Sequence, residues 1–247
     1  MSFRLLENGK RWLSLSTTVK RYASTTPRDA VFSNPGAADF LAAAASPSSI
    51  PALHGLPERL DHPTIRVFNL YDAGRANAGK STLLNAIVGR RDLMLSSKTP
   101  GRTKGLNFFR VGAAPGKMVL VDAPGYGARG RPEWGSLFDH YLATRKELKR
   151  VYILFNAKHG LNSADRLMLQ SLDARFQASG GAGWTLQSVL TKADTMEGTG
   201  ALSALQKEIF ELAPTCLPPV VTSALKHPRL GIEELRRSIA EACALKS

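Results

Sequence analysis

The stretch GRANAGKST, residues 74–82, indicates which fold this chain adopts. It contains the pattern G-x-x-x-x-G-K-[ST], with Gly74, Gly79, Lys80 and Ser81 in the required places. Between a strand and a helix, the backbone N–H groups of such a loop converge on an anion at the positive end of the helix dipole. The stretch therefore predicts a phosphate-binding loop, in which Lys80 reaches the outer phosphates and Ser81 binds magnesium. The residues assigned to this loop are Gly74, Arg75, Ala76, Asn77, Ala78, Gly79, Lys80, Ser81 and Thr82.

Glycine and lysine also occur together in ordinary surface loops, so the flanking sequence has to support this prediction. Residues 64–70, TIRVFNL, have the composition of a strand, and residues 81–90 have the apolar spacing of a helix. Tyr71 and Asp72 stand where apolar strand residues usually run into the first glycine, which leaves the register of this strand open. One face of the predicted helix carries Leu83, Leu84, Ile87 and Val88.

Strand and helix patterns alternate along the rest of the chain. Residues 107–111 and 117–122 are two strands joined by the short turn GAAPG, and they predict an antiparallel hairpin. Further strands are predicted at 150–156, 184–190 and 219–224. Helical spacing lies between them, at Leu169, Leu172 and Phe176, at Leu202, Leu205 and Ile209, and at Ile232, Leu235 and Ile239. The pattern predicts an α/β, doubly wound P-loop domain whose sheet is mostly parallel with one antiparallel strand and has helices on both faces.

The second predicted strand of the hairpin runs into VDAPGYG, residues 121–127, which contains D-x-x-G. An acid at Asp122 can hold magnesium through water, and Gly125 can offer its N–H to a terminal phosphate because it has no Cβ. Ala123 and Pro124 lie between them and are assigned to the same site. Taken alone, Asp122 is better explained as a cap on the following turn.

The strings VLTKAD and TSALK follow two later strands and are suited to a purine base. The Asp194 carboxylate can accept from N1 and N2 of guanine, while adenine would leave it unpaired. The stem of Lys192 can pack over the base, although an isolated Lys192–Asp194 surface ion pair is the simpler explanation of that string alone. Four such strings in this order, each after a predicted strand, favour a GTP-binding domain. The residues assigned to the base site are Thr191, Lys192, Ala193, Asp194, Thr222, Ser223, Ala224 and Leu225.

Six motifs make the chain resemble the EngB (also YihA or YsxC) family of ribosome-assembly GTPases, in an organellar version, over residues 63–245. They are GRANAGKST, SSKTPGRTKGLNFF, VDAPGYG, NAKHG, TKAD and TSALK. The resemblance implies that Ser81 and Thr103 bind Mg²⁺, that the stretch around Gly101, Arg102 and Thr103 is the first switch, and that the protein acts on the large ribosomal subunit. The sequence departs from the family where NAKHG has Asn156 and Lys158 in place of an Asp and an Arg, and where Ala123 replaces a bulkier apolar residue.

The expected reaction is slow hydrolysis of GTP to GDP and phosphate, with Lys80, Thr103 and Asn77 as the catalytic residues. Many GTPases have a Gln after D-x-x-G to orient the attacking water, whereas this chain has Tyr126. Related GTPases with an Asn at the place of Asn77 use a potassium ion there, so K⁺ is a candidate cofactor beside GTP/GDP and Mg²⁺. The alternative is that Asn77 only braces its loop by hydrogen bonding.

Charge and composition divide the 247 residues of the chain into three parts. Residues 1–28 contain six Lys or Arg and one acid and are rich in Ser and Thr. This composition predicts a mitochondrial transit peptide and a matrix location. The alternative is a disordered basic tail that binds nucleic acid. Residues 29–61 are predicted to be a linker with one short helix at 38–45, and residues 62–247 form the GTP-binding domain. Neither the cysteines nor the histidines have metal-ligand spacing, and no apolar run is long enough to span a bilayer.

The net charge is +13, and without residues 1–28 the chain still has 27 basic and 19 acidic residues, or +8, which favours a polyanionic partner. The expected partners are the precursor of the mitochondrial large ribosomal subunit and its rRNA, bound by a monomer. Two other functions fit the same sequence, namely a non-hydrolysing RNA-binding module controlled by guanine nucleotide and a GTPase that acts on tRNA modification. The basic residues assigned to RNA are Arg90, Arg91, Arg102, Lys104, Lys146, Lys149 and Arg150, although such runs are as often solvated surface.

The targeting prediction is tested by sequencing the N-terminus of protein purified from mitochondria. Cleavage after Tyr22 gives a matrix protein that starts near Ala23, and deletion of residues 1–22 leaves the chain in the cytosol. Recovery of an intact Met1 from mitochondria would support the basic-tail alternative instead.

Overall fold

A seven-stranded sheet organises the described residues of the protein. The computed structural model describes residues 31–32, 34–52, 67–72, 79–93, 105–112, 118–123, 132–181, 183–196 and 199–243. The strands are β1 (Ala38–Ala44), β2 (Val67–Asp72), β3 (Leu106–Val111), β4 (Met118–Asp122), β5 (Leu148–Asn156), β6 (Thr185–Thr191) and β7 (Leu217–Val221). The helices are α1 (Lys80–Val88), α2 (Pro132–Thr144), α3 (Ser163–Ala178), α4 (Thr199–Leu212) and α5 (Ile232–Ala242). Among the described residues, no helix has the length and apolar character that a membrane span requires.

The strand order is β1-β3-β4-β2-β5-β6-β7. From β4 to β7 every neighbouring pair is parallel, and β3 is antiparallel to both β4 and β1. The hairpin predicted from GAAPG is therefore confirmed as β3–β4. The first predicted strand also continues further than expected, since Tyr71 pairs with Ile153 and Asp72 with Leu154 along the backbone of β5.

Two clusters of buried side chains cover the sheet, and consecutive residues from Val151 to Phe155 alternate between them. In β5, Val151, Ile153 and Phe155 belong to a cluster that contains residues of α2, α3 and α4. Tyr152 and Leu154 belong to the other, which contains residues of α1 and α5. Because successive strand side chains point to opposite faces, helices pack on both faces of the sheet.

The structure corrects the prediction of a short helix in the linker. Residues 38–44 form strand β1, which pairs with β3 and so joins the sheet. Alanine favours helix in isolation, but here Ala38 and Ala44 are almost fully buried, and an ion pair of 2.6 Å joins Asp39 to Arg110 of β3. A Cβ on Gly105 would lie 2.1 Å from the Ala44 carbonyl oxygen, so the close approach of β1 needs a glycine at that position.

Helix α2 was not anticipated from the sequence. Its buried face contains Leu137, Phe138, Tyr141 and Leu142, and the Tyr141 ring packs edge-on against Phe108 of β3 with centroids 6.1 Å apart. Burial raises the pKa of Tyr141 far above its usual range, so the phenol stays protonated. The helix is thus part of the core on the face that α3 and α4 also cover.

A buried polar network joins α5 to the sheet through Arg150 of β5. Its Nε donates to the Thr185 hydroxyl at 2.9 Å, and its Nη1 donates to Gln187 Oε1 at 3.1 Å and to Ser238 Oγ at 2.8 Å. The Tyr152 hydroxyl lies 2.9 Å from the same Ser238 oxygen, and burial raises the pKa of Tyr152 to about 12. The network fixes the orientation of α5 on β5 and β6.

The network corrects one assignment made from the sequence, because the Nε and Nη1 donors of Arg150 bond to groups inside the domain rather than to RNA. Arg90 is also engaged, since its Nη1 donates to the Ala38 carbonyl at 3.2 Å and its Nη2 lies 3.5 Å from Asp92. Arg91 and Lys146 are exposed and stay candidates for RNA. A basic run in the sequence therefore combines structural and solvent-facing cations.

Substitution of Arg150 tests the structural role. Arg150→Gln is expected to lower the free energy of unfolding by about 2–4 kcal/mol, because it leaves buried acceptors without their charged donor. Denaturant unfolding measures the loss, with Lys146→Gln as a control of equal charge change at an exposed site. Equal stability of the two variants would contradict the structural role of Arg150.

Candidate functional site

The phosphate end of the candidate site lies where Gly79 leads into helix α1. Gly79 has a φ of +89°, in the left-handed region, and directly precedes the first helical residue, Lys80. A residue with a Cβ would be strained there, so the chain turns into the helix at a glycine. Ser81 and Thr82 lie half-buried in the first turn, where N–H groups of a helix are free to bind an anion.

The other end of α1 is held by Arg236 of α5. Its Nε donates to the Ile87 carbonyl at 2.7 Å, and its Nη2 donates to the Ala86 carbonyl at 3.1 Å. These bonds satisfy carbonyls at the C-terminus of the helix and place a positive charge at the negative end of its dipole. Helix α1 is thereby fixed at the end away from the loop.

Lys80 and Asp122 form the charged centre of the phosphate end. The Lys80 ammonium lies 2.8 Å from Asp122 Oδ1 and also donates to the Ala123 carbonyl oxygen, and the side chains of Lys80 and Asp122 are 9% and 7% exposed. Asn107 of β3 approaches the other carboxylate oxygen, with Nδ2 3.4 Å from Oδ2. The pairing neutralises two charges that would be costly to bury singly. It also places the predicted phosphate-binding cation beside the predicted magnesium-associated acid.

The base end is built by the turns that follow β6 and β7. Asp194 Oδ1 accepts from the Ser223 hydroxyl at 2.6 Å, and the Ala193 N–H donates to the Thr222 carbonyl at 3.1 Å. Thr222 in turn donates its N–H to the Leu190 carbonyl of β6 at 2.7 Å. The strings TKAD and TSALK, predicted separately, therefore meet and hold each other in position.

Lys192 connects the base end with the phosphate end. Its φ of +55° is the only left-handed value at a non-glycine position among the described residues, and its carbonyl accepts from both the N–H and the hydroxyl of Thr195 at 3.0 and 2.7 Å. A Cβ placed on Gly79 would lie 3.6 Å from Lys192 Cε. The stem of Lys192 thus lies against the start of the phosphate-binding helix. Such strain persists where surrounding bonds enforce it, and it is frequent at ligand sites.

Every predicted site residue that the structure describes lies near one of these two ends. Asn107 is an additional neighbour that sequence reasoning missed, because its motif SSKTPGRTKGLNFF supports the family resemblance without indicating a contact for this residue. Thr191 has a structural contact as well, since its hydroxyl donates to the Phe155 carbonyl at 3.2 Å. The assigned residues outside the described residues are Gly74, Arg75, Ala76, Asn77, Ala78, Gly101, Arg102, Thr103, Pro124 and Gly125.

Comparisons with known proteins show the family of the chain. The family model described as 50S ribosome-binding GTPase matches residues 71–180. The probable GTP-binding protein EngB of Sinorhizobium medicae is 37% identical, over 79% of this chain and 89% of the relative. The chain belongs to the EngB family. The EngB protein of Brucella melitensis biotype 1 is similar too, at 34% identity over 76% of this chain and 80% of the relative. By this membership the protein is a GTPase.

Solved structures share the P-loop GTPase fold with this EngB-family chain. Era in complex with MgGDPNP and nucleotides 1506–1542 of 16S ribosomal RNA has a TM-score of 0.53 at 21% identity, covering 73% of this chain and 57% of the Era chain. A dimerisation-deficient mutant of Toc33 from Arabidopsis thaliana has a TM-score of 0.52 at 13% identity, over 72% of this chain and 84% of Toc33. At these identities the likeness concerns the fold alone.

One departure from the EngB pattern preserves the local structure. In NAKHG the Asn156 side-chain oxygen accepts from the Lys158 N–H at 3.1 Å and caps the short 3₁₀ turn Ala157–His159. An Asp at this position would accept the same bond, so the turn needs only a side-chain oxygen. The loop after β5 thus keeps a capped turn with Asn156 in place of the family's acid.

The base end yields a prediction about nucleotide preference. Asp194→Asn is expected to weaken GTP binding at least about 100-fold, through the loss of two charge-assisted bonds, and to strengthen binding of xanthosine triphosphate, whose ring complements an amide. Competition with a fluorescent guanine nucleotide measures both affinities. Asp194→Ala is the matched control, because it removes the acceptors without offering a donor to xanthine. Unchanged GTP affinity in Asp194→Asn would exclude the assigned role.

Proposed function

We propose that this protein binds GTP at the described site, hydrolyses it to GDP and phosphate with Mg²⁺, and acts in assembly of the mitochondrial large ribosomal subunit. The observation that carries the nucleotide part is the approach of Lys192 to Gly79. Lys80 directly follows Gly79, and Asp194 lies two residues after Lys192. The contact therefore brings the proposed phosphate-binding lysine and the proposed base-binding acid to the same edge of the sheet. A ligand with a purine at one end and phosphates at the other matches this arrangement.

The residues at the phosphate end fit a magnesium nucleotide. Lys80 and Asp122 are both buried and neutralise each other, so a phosphate that attracts the ammonium frees a carboxylate for a cation. The Ser81 hydroxyl, in the first turn of α1, and Thr103 are proposed to hold Mg²⁺. When bound, Mg²⁺ would neutralise negative charge that develops on the phosphate oxygens. The chain itself supplies the Lys80 ammonium and the N–H groups at the start of α1.

The ribosomal role is supported by family membership and by charge. The relatives carry the EngB name, and the matched family is described as ribosome-binding. Residues 29–247 contain 27 Lys or Arg and 19 Asp or Glu, and this net charge of +8 suits a partner rich in phosphate. Location in the mitochondrial matrix and action as a monomer belong to the same proposal, and the basic, acid-poor residues 1–28 support the location. We also propose that the domain is a doubly wound α/β fold. The two core clusters that cover the sheet support this arrangement.

Turnover and sedimentation together test the proposed function. The purified protein is expected to release phosphate from GTP, and Lys80→Ala is expected to reduce that rate at least about 100-fold because the phosphates lose their cation. Tagged protein in mitochondrial extract should sediment with large-subunit precursors. The amount that sediments with them should differ between GTP and GDP. Nucleotide binding without turnover would indicate a non-hydrolysing module, and sedimentation with tRNA instead of ribosomal particles would indicate tRNA modification.

The proposed potassium site gives a further prediction. Asn77 is proposed to hold K⁺ against the phosphates, where the ion would offset developing negative charge much as an arginine finger does. Hydrolysis should therefore be faster in potassium chloride than in sodium chloride at equal ionic strength. Asn77→Ala should abolish the difference while GDP still binds. Identical rates in the two salts for the parent protein would exclude the potassium role.

A further inference from the structure

The loop between β7 and α5 is exposed and combines cations with apolar side chains. Leu225 is 75% exposed and Leu230 is 51% exposed, and the residues between them are all exposed. Lys226, His227 and Arg229 lie in this interval. Large apolar side chains that face solvent beside several basic residues are characteristic of a binding surface rather than of a connecting turn.

The cations of this loop have no partner among the described residues. Within the described part of the chain, neither Lys226 nor Arg229 forms an ion pair or a side-chain hydrogen bond. The nearest acids in sequence, Glu233 and Glu234, begin α5, and Glu233 already lies 2.6 Å from Arg236. Lys226 and Arg229 thus differ from Arg150, whose Nε and Nη1 donate to side chains inside the domain.

The ends of the loop are joined, so its residues are presented on a closed turn. The Ser223 N–H donates to the Leu230 carbonyl and the Leu230 N–H donates to the Ser223 carbonyl, both at 3.0 Å. Residues 224–229 therefore project from a two-bonded bridge. A closed turn loses less conformational freedom when it binds a partner than an open segment does.

The same serine links this turn to the guanine site. The backbone of Ser223 closes the loop, while its hydroxyl donates to Asp194 Oδ1 at 2.6 Å. A force applied to residues 225–230 would therefore act on the position of the Asp194 carboxylate. By linkage, a ligand whose affinity depends on that position must in turn alter the affinity for the base.

We propose that residues 225–230 form an RNA-binding surface and that its occupancy is coupled to guanine-nucleotide binding through Ser223. Lys226 and Arg229 contact backbone phosphates, and Leu225, His227 and Leu230 contact the faces of unstacked bases. Single-stranded RNA fits because it offers phosphates and apolar base faces within a few ångströms of each other. The inference deepens the proposed function and rests on it, since the RNA it requires is that of the ribosomal precursor.

Neutralising the loop tests the surface on the full-length protein. The double variant Lys226→Gln with Arg229→Gln is compared with a control, Lys158→Gln with Lys207→Gln, which removes the same charge from exposed residues outside the loop. The probe is an in vitro transcript of mitochondrial large-subunit rRNA. We expect the loop variant to lose RNA affinity at least about fivefold, with the affinity of the control nearly unchanged. The slope of log affinity against log salt concentration should become shallower by the equivalent of about one to two phosphate contacts. Equal affinities of the two variants for the transcript would overturn the proposal that this loop binds RNA.

Fluorescent GDP tests the coupling. The rate of GDP dissociation from the parent protein should change at least about fivefold when the transcript is saturating. At an RNA concentration that half-saturates the parent, the loop variant should show a smaller change than the parent, because less of it is bound. Both variants should bind GDP normally without RNA, which shows that they are folded. A parent rate that is the same with and without bound RNA would overturn the coupling.

Two further outcomes separate this inference from the proposed function. If the parent protein sediments with ribosomal precursors but does not bind the transcript, the RNA surface is wrong and the ribosomal role stands. If it does neither, both fail. Binding of the loop to vesicles of phosphatidylcholine and phosphatidylglycerol, lost in the loop variant while RNA affinity is unaffected, would identify a lipid partner and overturn the RNA assignment.

Discussion

The parallel alignment of β4, β2, β5, β6 and β7 is the constraint on which the rest of the site depends. Parallel strands end at one edge of a sheet, so residues from distant parts of the chain meet there. Asp122 ends β4, Lys192 and Asp194 follow β6, and Ser223 follows β7. Buried side chains on both faces fix the strands relative to each other, and the two core clusters therefore determine the spacing of the functional groups.

The two ends of the site are stabilised by different kinds of interaction. At the base end, bonds within the chain already hold Asp194 and enforce the left-handed Lys192, a conformation that costs roughly 1–2 kcal/mol. At the phosphate end, the Lys80–Asp122 ion pair joins two groups that are proposed to exchange partners when a phosphate and a cation bind. The base end is thus pre-organised, whereas the phosphate end is suited to respond to the charge of its ligand.

The motifs of the candidate site can be recognised in the sequence more readily than the structure around them, for physical reasons. GRANAGKST, TKAD and TSALK are short strings whose spacing is imposed by ligand chemistry, so they can be read without knowledge of packing. Strand β1 could not be predicted, because an alanine-rich segment favours helix until a neighbouring strand provides partners. The role of Arg150 was missed for a similar reason, since a cation that points into a polar network has the same sequence signature as one in solvent.

Strand β1 has a consequence for where the folded unit starts. By motif content the GTPase domain begins near residue 62, yet β1 is paired with β3 and Val31 and Phe32 are buried in the core. A truncated chain that starts at residue 62 would uncover the hydrogen-bonding edge of β3 and the apolar side chains beneath β1, which is a recognised cause of edge-to-edge aggregation. Proteolytic removal of residues 1–22 alone would spare β1 and leave that edge closed.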